Sequence, residues 1–134
     1  REDGVINAKK IYGLSQIKDN YKYIIVVDAD MEISKKVNLY SICKNFFDNK
    51  ILWGTPLNFE ASEIYTKIEK SCMSFFNRND LNVCGLGFWF FNMCVYDTST
   101  LDDFFQKTSL LTKLNKLDFW RFDYYIYMFY YRVL

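Results

Sequence analysis

Histidine is absent from this sequence, proline occurs once, and only five of the 134 residues are glycine. Without histidine, the commonest metal ligand and the usual proton carrier near neutral pH are both missing. Acid–base or metal chemistry must then come from carboxylates, thiols, phenols or lysines. The four cysteines, Cys43, Cys72, Cys84 and Cys94, form no CxxC pair. That spacing excludes an ordinary structural zinc site, which draws on Cys and His close together. The cysteines read instead as small apolar residues buried in a reducing compartment, so a cytoplasmic location is expected. No Pro-rich or Ser/Gly-rich linker divides the chain, and no internal repeat is present. Residues 1–134 read as one domain, enough for a hydrophobic core.

Charge of one sign is not in excess: 17 basic residues face 16 acidic ones. A dedicated nucleic-acid binder carries a clear basic surplus, so no nucleic-acid partner is expected. Long apolar runs are missing as well. Leu86 to Val95, the longest, is broken by Asn92 and falls short of the roughly 20 residues a membrane-spanning helix needs. Nothing at the start reads as a signal peptide.

What is abundant is aromatic side chains, at 20% of the residues. Aromatics ordinarily fill cores, and most of these are expected to do so. The run Phe88-Trp89-Phe90-Phe91 reads first as a core strand, with a sugar-stacking wall as its functional alternative. Gly85 and Gly87 before it would let a backbone approach a ligand closely.

Periodicity places the elements. Val5, Ile6, Ala8, Ile11, Tyr12, Leu14 and Ile17 recur at helical spacing, with Asp3 as a cap. Tyr23 to Val27 (YIIVV) is a continuous β-branched and aromatic run, which suits a central strand buried on both faces of a parallel sheet. A helix leading directly into such a strand points to βαβ architecture. Further helices are predicted over Val37–Phe47, capped by Ser34, over Ala61–Phe76 and over Thr100–Lys107. In the helix over Ala61–Phe76, Ile64, Ile68, Cys72 and Phe75 share a face. Short strands are predicted at Ile51–Gly54 and Gly87–Tyr96, and Asn77–Asn82 reads as a polar loop. Phe122–Arg132 fits either a helix or a strand.

Two carboxylates, Asp28 and Asp30, stand where the YIIVV run ends. In open α/β sheets, ligands bind beyond the carboxyl ends of the strands. Two carboxylates one residue apart can both face a hard divalent cation that keeps positions open for phosphate oxygens. The plain alternative is an acidic turn that ends a strand. Glu32, just beyond, reads as a surface acid more readily than as a third ligand.

The stretch Gly4-Val5-Ile6-Asn7-Ala8-Lys9-Lys10-Ile11-Tyr12-Gly13-Leu14, followed by Tyr23-Ile24-Ile25-Val26-Val27-Asp28-Ala29-Asp30, resembles the central part of inverting A-type glycosyltransferases. Those enzymes show a glycine, an Ala-Arg-Asn helix start, a Gly-Leu or similar, and a hydrophobic strand ending in DxD. Gly4, Ala8, Gly13 and Leu14 match in spacing. Lys9 and Lys10 stand where the family often has Arg and Asn. The resemblance covers roughly the first 30 residues. It implies a partial A-type domain: a Rossmann-like, mixed, mostly parallel sheet flanked by helices. It implies a nucleotide-diphosphate-sugar donor, a glycan acceptor at the cell surface with peripheral membrane association, and Mn²⁺ or Mg²⁺ as cofactor. Asp30 would coordinate the metal, Asp28 would contact the ribose or the metal, and Lys9 and Lys10 would help hold the diphosphate at a helix N-terminus. The strands that hold the nucleobase would lie upstream of Gly4. The family's later acidic motif has no clear copy, and Asp123 is the best candidate for the catalytic base. An ordinary helix-capping role competes for Asp123, and solvated helix surface competes for the two lysines.

Two other readings stay open. A haloacid-dehalogenase-type phosphatase also places DxD after a strand, but wants Thr or Val where Glu32 stands. A truncated, non-catalytic glycosyltransferase-like binding protein is the second.

Overall fold

The computed structural model describes residues 2–48, 61–78, 94–118, 120–121 and 123–133. The first helix, α1 (Glu2–Ile17), runs through a 3-10 turn (Lys18–Asn20) into strand β1 (Tyr23–Val26). Helices α2 (Leu39–Asp48) and α3 (Ala61–Phe75) follow, then strand β2 (Cys94–Asp97) and helix α4 (Thr98–Thr108). Two further 3-10 turns, Leu110–Thr112 and Leu114–Lys116, lead toward α5 (Asp123–Val133).

The expected Rossmann-like, mostly parallel sheet is not what these residues build. Among the described residues the fold is mainly helical, and β1 pairs with β2 in a two-stranded antiparallel sheet. The register sets Ile24 against Tyr96 and Val26 against Cys94. Only Ile24 of β1 is buried, so the strand is covered far less than a central parallel strand would be. The reason lies in α5. Its residues from Asp123 to Tyr130 are all buried, including five aromatic rings. A helix that is apolar all round takes the middle of a core. Here that central place belongs to a helix, and the strand pair packs beside it.

The capping chemistry is specific. Asp3 lies inside α1, not at its cap. Asn38, not Ser34, caps α2: its Oδ1 accepts the Ser41 amide at 3.0 Å. Asp97 caps α4 by accepting from the Ser99 amide (3.0 Å) and hydroxyl (2.7 Å). Tyr127 ties this junction to α5, since its hydroxyl accepts the Asp97 amide at 3.1 Å. Aromatic contacts continue the same seam, with Tyr96 4.7 Å from Tyr127 and Phe104 5.3 Å from Tyr127 between ring centroids.

The predicted helices α1, α3 and α4 are present, and Ile68 and Cys72 lie buried as their shared face requires. Phe122–Arg132 is settled as helix from Asp123 onward. Among the described residues Cys43 and Cys72 are buried and in no disulfide, and Cys94 is partly covered. The predicted strand Ile51–Gly54, the Phe88–Phe91 wall, the two glycines before it and Cys84 lie outside the described residues. No helix among the described residues is long and apolar enough to cross a membrane.

Candidate functional site

The site is assembled from four chain segments: α1, the turn after β1, β2 and the start of α5. Alternation along β2 puts Cys94 and Tyr96 on one face, opposite Val26 and Ile24 of β1. Two residues beyond Val26 the chain turns: the Asp28 carbonyl accepts the Met31 amide at 3.1 Å. Asp28, Ala29 and Asp30 are exposed in that turn. Lys10 reaches across from α1 and donates from Nζ to Asp28 Oδ1 at 3.2 Å.

Asp123 enters from the other side. It lies in the first turn of α5, where a carboxylate opposes the helix dipole favourably. It is buried, and the buried Tyr96 hydroxyl donates to its Oδ2 at 3.0 Å. Burial pushes the Asp123 carboxyl up from its usual range, although Lys10, the Tyr96 hydroxyl and the Tyr124 and Asp123 amides all pull it down. Burial also works against the charge of Lys10. Asp123 and Asp28 together outweigh that effect, and the Lys10 pKa stands above the ordinary lysine value. Burial, then Asp123, raises the Cys94 thiol to about 12, so it stays neutral. The Tyr96 phenol is raised well above its ordinary value by the same two causes and remains a donor.

Of the residues singled out from sequence, Lys10, Asp28 and Asp123 are therefore brought together. Asp30 sits in the same turn as Asp28, open to solvent. Lys9 is exposed on α1, a third of a turn away from Lys10, and Glu32 is exposed past the turn. Among the described residues, no three cysteine or carboxylate side chains converge as a metal-binding group. A shallow depression of about 300 Å³ on α3, lined by Glu63, Thr66, Lys67 and Lys70, shares no residue with this cluster.

Sequence reasoning missed Tyr96 and Cys94. Both lay in the strand predicted over Gly87–Tyr96, whose two-residue period already sets them on one face.

Lys10 is held in place by how α1 docks. Gly4 lies so close to the segment before α5 that a Cβ there would meet the Leu117 carbonyl oxygen at 2.5 Å. One turn on, buried Asn7 donates from Nδ2 to the Asp118 carbonyl at 3.1 Å. Close backbone approach and this hydrogen bond together fix α1 against the N-terminal approach to α5, and so fix Lys10 relative to Asp123. No family model, curated protein or solved structure matches the chain.

Proposed function

We propose that the chain transfers a sugar from a nucleotide-diphosphate donor to a hydroxyl of a glycan acceptor. Asp28 and Asp30 would hold a divalent cation, which would offset the charge of the diphosphate, and Asp123 takes the acceptor's proton. What supports this reading is that Asp28 accepts a hydrogen bond from Lys10, and that the charge of the same lysine is felt by Asp123, far away in sequence.

The donor chemistry fits a hard cation. Two carboxylates in an exposed turn offer oxygen ligands where water and phosphate oxygens can reach. Mg²⁺ and similar ions are commonly held by one or two carboxylates, with substrate phosphate and water completing the shell. When bound, the cation would neutralise charge developing on the leaving diphosphate. The chain's own groups do the rest. Lys10 adds positive charge beside Asp28. Tyr96 orients the Asp123 carboxyl through a fixed hydrogen bond. A carboxyl raised by burial is better matched to taking a proton from a hydroxyl near neutral pH.

The test is transfer itself. The protein is incubated with Mn²⁺, a panel of nucleotide-diphosphate sugars and glycan acceptors, and released nucleoside diphosphate is measured. Acceptor-dependent release is expected, and Asp123→Asn should lower it by roughly 10²–10⁴-fold. Full activity in Asp123→Asn would overturn its assigned role. Release of inorganic phosphate, lost in Asp28→Asn, would favour the phosphatase instead. No binding of any donor by the folded protein would leave the non-catalytic reading in its place.

A further inference from the structure

The chain between β1 and α2 lies open to solvent. Beyond the turn closed by Asp28 and Met31, every residue from Glu32 to Asn38 is exposed. From Glu32 to Val37, no hydrogen bond, ion pair or ring contact joins the segment to any described residue. It carries two large apolar side chains in water, Ile33 at 57% and Val37 at 44% exposure. It leads into the first turn of α2, where Tyr40 is 54% exposed. Tyr40 packs against Tyr23 at the start of β1, with ring centroids 5.6 Å apart. The exposed Lys22 lays its Nζ over both rings, 5.3 Å from the centre of Tyr23 and 5.8 Å from that of Tyr40. Lys35 and Lys36 stand between Ile33 and Val37 in the chain. Among the described residues no carboxylate pairs with Lys22, Lys35 or Lys36, whereas Lys44 on α2 is held by Asp48. Glu32 is the one carboxylate between Met31 and Asn38.

We propose that this surface docks on an anionic lipid bilayer, with Ile33, Val37 and Tyr40 entering the headgroup layer and Lys22, Lys35 and Lys36 resting on the anionic headgroups. Exposed apolar side chains rimmed by charge mark a surface that meets another body. The charge says which body: three cations without an internal counter-ion face a single carboxylate, so the partner is anionic. Anionic lipids attract basic segments at the membrane surface, and each lysine there adds to the attraction. Lysine keeps its ammonium in water while its stem lies along apolar groups, and tyrosine favours the boundary between water and lipid. Depth is limited by the backbone. The amides and carbonyls of Glu32 to Val37 have no partner among the described residues, and they would be costly in hydrocarbon. They stay hydrated at headgroup level, and only side chains go deeper. The surface shares no residue with the carboxylate cluster, so the inference is independent of the transfer reading.

The experiment is co-sedimentation of the protein with vesicles of phosphatidylcholine alone or mixed with phosphatidylglycerol. Wild type is compared with Ile33→Ser/Val37→Ser and with Lys35→Gln/Lys36→Gln, and circular dichroism checks the fold of each. All four positions are exposed, so both variants should fold. Wild type is expected to sediment with the anionic vesicles and not with the neutral ones, and to be released as salt rises toward ~1 M. Removing the two lysines should weaken binding roughly 20- to 30-fold. Removing the two apolar side chains should weaken it at least about tenfold. Failure to sediment with anionic vesicles, or equal binding to neutral ones, overturns the proposal. So does wild-type binding by either variant. Sedimentation velocity without lipid tests the other occupant: self-association lost in Ile33→Ser/Val37→Ser would give the surface to a second copy of the chain and overturn the bilayer.

Discussion

The same substitution at two glycines of one helix should have opposite effects. At Gly4 an added Cβ would stand 2.5 Å from the Leu117 carbonyl oxygen and 3.4 Å from its carbon. An ordinary C···O contact is about 3.3–3.6 Å, so the overlap approaches 1 Å. The obstacle is backbone and cannot rotate away. It is also pinned: Leu117 is buried, its amide donates to the Leu114 carbonyl at 3.2 Å, and Asn7 holds the next residue. Overpacking of this kind costs about 1–3 kcal/mol. Replacing a helical glycine by alanine returns at most about 1 kcal/mol. Gly4→Ala should therefore be destabilised by roughly 1–2 kcal/mol, a fall in Tm of roughly 3–10 °C. At Gly13 a Cβ meets nothing within 4 Å. There Gly13→Ala keeps only the gain, about 0.5–1 kcal/mol, and Tm should rise by a few degrees. Thermal and urea unfolding followed by circular dichroism would read both. A Gly4→Ala protein as stable as wild type, or a destabilised Gly13→Ala, would refute the docking of α1 described above. Because α1 carries Lys10, Gly4→Ala should also lower the proposed transfer activity at temperatures where it remains folded, while Gly13→Ala should not.

Asp123→Asn should stabilise the protein near neutral pH even as it removes activity. The folded pKa of Asp123 is raised, so its favourable contribution is present below the ordinary carboxylate range and is lost as pH climbs through the raised value. The stability difference between Asn and Asp should accordingly be larger at neutral pH than at pH 3–4 in paired urea titrations, and a pH-independent difference would contradict the burial argument. Tyr96→Phe removes a hydrogen bond to an ionisable buried group, which should cost roughly 1.5–3 kcal/mol when Asp123 is charged and move the acid limb of the activity profile upward. An unchanged pH profile would show that Tyr96 does not set the state of Asp123. Phe104→Ala, at a fully buried ring packed on Tyr127 and Tyr130, should lose about 3–5 kcal/mol in denaturant unfolding, and a loss under 1 kcal/mol would place Phe104 outside the core.

Local signals in the sequence carried the helices well. The spacing of Ile11 and Leu14 marks the buried stripe of α1, and that of Ile68 and Cys72 marks the stripe of α3. The layer architecture was not legible in the same way. A run such as Tyr23 to Val27 looks alike whether it is buried on both faces or only part-covered in a strand pair, because burial depends on what packs there and not on the run itself. The deciding residues were in α5, where aromatic density left no period to read and the helix turned out to be the buried centre. The site was half legible. Asp28 and Asp30 announce themselves at a strand end, and Asp123 at the start of an apolar segment. Their convergence through Lys10, and the part played by Tyr96, depend on an antiparallel register between segments about seventy residues apart, which no local pattern encodes.

The two acidic groups of the site differ in environment, and that difference argues for a division of roles. Asp28 stands in solvent on a turn, where a carboxylate can exchange one cation for another at small cost. Asp123 is enclosed by Tyr96 and the first turn of α5, where losing or gaining a proton is strongly felt. Environments that treat two carboxylates this differently are how one site separates charge binding from proton transfer. Lys10 donates to Asp28 and lies in the field of Asp123, so its charge is felt at both carboxylates.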